Sequence, residues 1–243
     1  ITVALGQASG IVAGASRELL AARLPAVPAR IEAVPRVWYN PDLKSRWFYV
    51  PAVLAMVLMI MTTLLSAMGV VREKEIGTLE QIIVTPIRPW QLITGKLLPF
   101  AAIGLVQVFL VSGVAVLGFG VPLRGSLALL LLLTQLFLLN TLGLGLLVST
   151  LVRTQQQAMM TAAFMVMVPM IYLSGLIFPI ENMPRPIQYV TYAIPVRYYA
   201  DILRGVFLKG SGLGVLWPEA LTLALMGAGL LGLASLRFRK RLD

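Results

Sequence analysis

Charged residues are missing from five long stretches of this chain and crowd into the segments between them. The uncharged runs cover about 51–71, 97–119, 126–151, 158–178 and 220–236. A helix rises about 1.5 Å per residue, so about 20 apolar residues cross a hydrocarbon layer about 30 Å thick. Four runs meet that length, and the last, 17 residues, lies at its lower limit. The pattern predicts an all-α integral membrane protein, a polytopic helical bundle with five visible spans.

The segments between the runs orient the bundle. Trp47, Phe48 and Tyr49 directly precede the first run, where interfacial rings settle at headgroup level. Arg237, Arg239, Lys240 and Arg241 follow the last, and such a cluster stays on the cytoplasmic side. Counting back from a cytoplasmic C-terminus places 1–48 and 179–215 outside and 72–96 inside, an orientation that the Lys and Arg bias of the loops follows only in part. Residues 1–48 read as a small extracytoplasmic domain, with short strands near 30–33 and 36–39 before the Asn40-Pro41-Asp42 turn. The chain opens on Ile1 without a signal segment, so this domain is read as partial. Residues 49–243 form the membrane domain, in which Pro218 and Glu219 suit the first turn of the last helix.

Composition narrows the function. The chain is 58% hydrophobic and 12% charged, against about 25% charged in an ordinary soluble domain. Its net charge of +10 sits at span edges and in loops, which fits membrane flanks and not nucleic acid. Without cysteine or histidine there is no disulfide, no thiolate chemistry and no predicted metal site. Gly95-Lys96 lacks the glycine-rich loop that cradles phosphate, so no nucleotide or other cofactor is expected on this chain.

Two segments stand out. In 72–96, Thr78-Leu79-Glu80-Gln81 fits a capping box that starts a short helix after a break at Gly77 and ends before Pro86. Leu79, Ile82 and Ile83 give it an apolar side, and Glu73, Glu75 and Glu80 give it acidic groups. Such a helix rests on the membrane or docks a soluble partner. In 179–215, Pro179, Pro184, Pro186 and Pro195 punctuate two apolar stripes, Ile187/Val190/Ile194 and Tyr198/Ile202/Val206, which predict two short external helices capping the bundle. Arg197 and Asp201 are spaced to pair along the second.

Within the uncharged runs the polar amides are Gln107, Gln135 and Asn140. They serve either as interhelical hydrogen-bond partners or, if two copies enclose a cavity, as lining of a substrate pathway. Ala220, Ala224, Ala228 and Gly232 recur every four residues and predict a close-packing face, and Pro169 predicts a kink. Ionisable groups are absent from the runs, which favours an external energy source over ion coupling.

The runs Arg-Val-Trp-Tyr-Asn-Pro (36 to 41), Ser-Arg-Trp-Phe-Tyr-Val-Pro (45 to 51), Arg-Glu-Lys-Glu-Ile-Gly-Thr-Leu-Glu (72 to 80), Thr-Pro (85 to 86), Gly-Lys (95 to 96) and Phe-Pro-Ile-Glu-Asn-Met-Pro (178 to 184) resemble the type-2 ABC transporter permeases. The likeness is greatest to bacterial multidrug-type efflux permeases. It implies a six-span unit, with a first span upstream of Ile1 or absent, in a bacterial plasma (inner) membrane. It implies pairing with a second permease copy or paralogue, an ATP-binding cassette ATPase that holds ATP and Mg, and room for a periplasmic adaptor. It carries an ATPase-coupling role onto Glu73, Glu75, Gly77, Thr78, Leu79 and Glu80, and an external gate onto Pro179, Pro184, Pro195 and Tyr198. The implied function is ATP-driven export of an apolar or amphipathic substrate. A secondary carrier or channel, a passive membrane anchor and an intramembrane enzyme are the alternatives. With no histidine, only a Ser–Lys arrangement would be open to the last of these.

Overall fold

A computed structural model describes residues 44–78, 89–175 and 180–239, together with 11–12 and 14–16. The chain divides into two units, Ile1–Leu43 and Lys44–Asp243. The described residues of the first are helical, and the strands predicted at 30–33 and 36–39 lie outside the described residues.

In the second unit the described elements are all helices. Helix α1 spans Ser45–Ile76 and α2 spans Pro89–Gly113, continuing as a π turn over Val114–Gly118. Helix α3, Leu127–Leu151, starts at Ser126, whose hydroxyl accepts from the Leu129 N–H at 3.4 Å. A fourth rod joins α4 (Gln155–Thr161), a π turn (Ala162–Met167) and α5 (Val168–Leu173). After it come α6 (Arg185–Thr191), α7 (Pro195–Arg204) with a π turn over Gly205–Lys209, and α8 (Leu213–Arg239). Among the described residues, Ser45–Ile76, Thr94–Gly118, Leu127–Leu151, Gln155–Leu173 and Leu213–Arg237 are long and apolar enough to cross a membrane.

Several helices overrun the apolar stretches that predicted them. Helix α1 does not stop at Arg72 but carries Arg72, Glu73, Lys74 and Glu75 through another turn. Arg, Glu and Lys are good helix formers, so a charge cluster ends the apolar run without ending the helix. The stop is Gly77, at φ 80, whose N–H donates to the Lys74 carbonyl at 3.3 Å. Helix α8 starts at Leu213, which puts Pro218 and Glu219 inside the helix, not in its first turn. Pro169 lies in the first turn of α5, directly after the π turn.

Helix α3 is the hub, packed against α1, α8, α2 and α7. It runs alongside α1 with the Thr62 and Thr141 hydroxyls 2.8 Å apart, Thr63 Oγ1 donating to the Thr141 carbonyl at 3.3 Å and Ser66 Oγ donating to the Leu142 carbonyl at 3.0 Å. Gly145 makes this approach possible, since a Cβ there would lie 2.6 Å from the Thr63 carbonyl oxygen. On its other side α3 meets α8 at Gly143, opposite Leu230, and at Asn140, opposite Gly227.

The packed face of α8 differs from the predicted one. Leu216, Ala220, Leu223, Gly227 and Ala234 are buried, whereas Ala228 and Gly232 are exposed and a Cβ on Gly232 would touch nothing. The buried set recurs at alternating steps of three and four, which tracks a neighbouring helix better than a uniform step of four. Helix α7 is packed into the bundle and does not rest on its surface. Val196, Tyr199, Ile202, Leu203, Val206 and Phe207 are fully buried, and the helix wedges against α1, α3 and α8. Tyr199 stacks on Phe137 with centroids 4.0 Å apart, and its hydroxyl lies 2.9 Å from Thr134 Oγ1.

Candidate functional site

The polar end of the bundle, where α1 and α3 finish and α2 and α4 begin, gathers the charged residues that follow the first apolar run. Glu73 pairs with Lys96 of α2, and the Lys74 ammonium donates to the Ser149 carbonyl in the last turn of α3. Glu75 Oε1 accepts from the Gln155 N–H at 2.8 Å, placing a carboxylate on the positive N-terminus of α4. That N-terminus is also capped locally. Thr154 Oγ1 accepts from the Gln157 N–H at 3.2 Å, and Gln157 Oε1 accepts from the Arg153 N–H at 3.1 Å. Three consecutive charges of α1 thus tie it to three other spans. The Thr78 hydroxyl donates back to the Glu73 carbonyl at 3.3 Å. Leu79, Glu80 and Gln81, which complete the predicted capping box, lie outside the described residues.

The amides of the spans meet different neighbours. Gln107 Nε2 donates to the Val57 carbonyl of α1 at 3.4 Å. Asn140 is fully buried, and its Nδ2 donates to the Leu136 and Leu223 carbonyls, both at 2.8 Å. Gln135 is half-buried, and its Nε2 has no partner among the described residues. In this geometry Asn140 bonds α3 to α8. Asn140→Leu is therefore expected to lower bundle stability by about 1–2 kcal/mol while transport per folded complex holds. Detergent-challenge unfolding set beside transport per folded molecule checks this; normal stability with an altered substrate range would move Asn140 to the pathway.

At the opposite end Pro184 precedes α6, Pro195 opens α7 and is buried, and the Tyr198 hydroxyl donates to the Tyr192 carbonyl at 2.9 Å. Pro179 lies outside the described residues. The expected Arg197–Asp201 pair is replaced by another. Arg197 Nη1 donates to Thr191 Oγ1 at 2.6 Å with its guanidinium 4.4 Å from the Tyr192 ring centre, and Asp201 pairs with Arg204 at 3.3 Å. The α6–α7 turn draws Arg197 backward, and Arg204 is the cation left one turn from Asp201. Burial pushes the Asp201 carboxyl above its ordinary value; the Arg204 charge opposes this and the Glu219 charge adds to it. Arg204 also lies 4.1 Å from the Phe48 ring centre.

The geometry at both ends can be set beside known proteins. Residues 4–236 match the model of the ABC-2 family transporter protein. The chain belongs to the ABC-2 family. A relative in Escherichia coli (strain K12), named probable multidrug ABC transporter permease YbhR, is 36% identical over 214 residues, covering 88% of this chain and 58% of the relative. A second from that strain, named probable multidrug ABC transporter permease YbhS, is 38% identical over 213 residues, 88% of this chain and 56% of the relative. ABC transporter G family member 20 of Dictyostelium discoideum is 26% identical over 179 residues, 74% of this chain and 24% of the relative. The chain thus spans a little over half the length of the bacterial relatives it matches. Its five apolar helices make this ABC-2 chain a multi-pass membrane protein.

Sequence reading missed two features of this ABC-2 chain. Arg204 and Glu219 lie partly buried, with Arg204 Nε and Nη2 and Glu219 Oε2 shielded and without partners among the described residues. Arg204 was read on a surface helix and Glu219 in the first turn of the last helix, positions where both would be solvated. The signal that could have found them was the apolar Tyr199 and Leu203 filling the gaps of the Tyr198/Ile202/Val206 stripe.

Proposed function

We propose that this chain is the membrane-spanning permease part of an ABC exporter, which moves an apolar or amphipathic substrate out of the cytoplasm or the adjoining leaflet. A separate ATP-binding cassette subunit holds ATP and Mg and docks at the polar end, and a second permease copy or paralogue completes the pathway. The membrane is the bacterial inner membrane, with the C-terminus cytoplasmic and a periplasmic adaptor as a further partner. The carrying observation is the tie of Glu73, Lys74 and Glu75 to α2, α3 and α4, through which a push at the segment after Gly77 reaches four spans together. The names of the bacterial relatives support the same reading. The energy source is inferred from the family.

Purification of the full-length protein in mild detergent tests this. An ATP-binding cassette subunit should co-purify in stoichiometric amount and hydrolyse ATP faster when permease is present. A permease that transports without any such subunit would overturn the reading. Orientation is read separately, because the chain has no cysteine of its own. Ser45→Cys and Ser211→Cys should label from outside intact cells with an impermeant reagent, and Thr78→Cys should not; the reverse pattern inverts the topology.

A further inference from the structure

An open groove of about 650 Å³ runs along α1 at the polar end, walled by Met61, Leu65, Met68 and Phe100, with Arg72 and Glu73 at its mouth. Its floor is set by Gly69, because a Cβ there would lie 2.4 Å from the Phe100 ring. Only glycine lets that ring lie against the α1 backbone, leaving a smooth apolar trough. The described residues leave the trough open, and Met61 and Leu65 are 50% and 37% exposed.

The mouth carries one uncompensated cation. Among the lining residues Glu73 is neutralised by Lys96, and Gln155 is uncharged and holds the Glu75 carboxylate, which lies outside the lining. Arg72 is exposed and makes no hydrogen bond or ion pair among the described residues. From Met61 to Arg72 the helix rises about 16 Å, which matches one leaflet of a hydrocarbon core about 30 Å thick. A wall of that length, apolar throughout and topped by a free guanidinium, has the dimensions and charge order of one phospholipid. Guanidinium also suits phosphate through paired N–H donors.

We infer that this groove is a binding site for an anionic phospholipid of the leaflet at the polar end, with an acyl chain along Met61, Leu65 and Met68 and the phosphate on Arg72. The occupant is lipid and not a helix of a partner, because the lining charge left without an ionic partner among the described residues is the Arg72 cation, at headgroup depth. The site stands apart from the coupling reading, since it needs no particular topology and no ATPase.

The test uses the purified full-length protein in nanodiscs of equimolar phosphatidylglycerol and phosphatidylcholine, with the retained lipid counted by native mass spectrometry. Phosphatidylglycerol should be retained over phosphatidylcholine by about fivefold, the preference one basic group confers near a headgroup. Arg72→Gln should bring the ratio close to parity, Arg72→Lys should keep most of it, and Arg237→Gln, which alters an exposed cation elsewhere, should leave it unchanged. Leu65→Trp fills the trough and should lower retention of both lipids. Equal retention by the wild type, an unchanged ratio in Arg72→Gln, or full retention in Leu65→Trp would each overturn the site. So would a wild type that holds no lipid while Leu65→Cys cross-links to a second copy, since the groove would then be a protein interface.

Discussion

Gly145→Leu is expected to leave little folded protein. A Cβ at Gly145 would stand 2.6 Å from the Thr63 carbonyl oxygen, 2.7 Å from Ser66 Cβ and 3.0 Å from the Ala67 nitrogen, so two of the three obstacles are backbone that cannot rotate away. Alanine alone would force α1 and α3 apart at a cost of about 1–3 kcal/mol. Leucine adds a branched side chain and opens the contact further. The three Thr and Ser hydrogen bonds that cross this seam would then be lost together, at about 0.6 kcal/mol each. Total stability of a domain is only about 5–15 kcal/mol, so a hub contact of this size decides folding. Gly229→Leu is the control, since a Cβ there meets nothing within 4 Å. Size-exclusion profiles and denaturant titration in detergent should show aggregation for Gly145→Leu and a normal peak for Gly229→Leu. A monodisperse Gly145→Leu protein of normal stability would mean that the seam is looser than its geometry shows.

The five spans were legible because lipid imposes a constraint that composition records directly: no charge for about 20 residues. Gly77 was equally plain as a helix break, a residue tolerant of positive φ, whereas the Ser126 cap went unread. Helix ends were less so, since Arg72 to Glu75 favour a helix as much as they disfavour lipid. The burial of α7 could not be read from its own stripe, because Tyr199 is covered by Phe137 and Thr134, residues far away in sequence. The packed face of α8 was misjudged for a related reason. Small residues permit close approach, but α3 approaches along Leu223 and Gly227 and leaves Ala228 exposed. At the polar end the acidic residues were visible and their bonds were not. Glu73 finds Lys96 across 23 positions and Glu75 finds Gln155 across 80, distances at which no local pattern speaks.

Those bonds make the second large effect a discriminating one. Glu73→Lys is expected to reduce ATP-driven transport at least about tenfold, because a charge reversal at a docking surface costs several kcal/mol of binding. Its effect on folding should be small, since the Glu73 side chain is 36% exposed and a pair of that kind contributes about 0.2–1 kcal/mol. Loss of transport alone would not separate two roles for Glu73, a brace to α2 and a contact for the ATPase. The charge-swapped pair Glu73→Lys with Lys96→Glu separates them, because it rebuilds an ion pair between α1 and α2 while presenting the wrong sign to any partner that reads Glu73. Lys96→Gln is the complement, removing the brace and keeping the carboxylate. With Glu73 as the contact, the swap should remain as defective as Glu73→Lys and Lys96→Gln should keep most transport. Membrane abundance should stay near wild type in all three, and recovery of the ATPase on purification should fall wherever transport falls. Wild-type transport in the swapped protein would reduce Glu73 to a brace and move the docking contact elsewhere on the polar end.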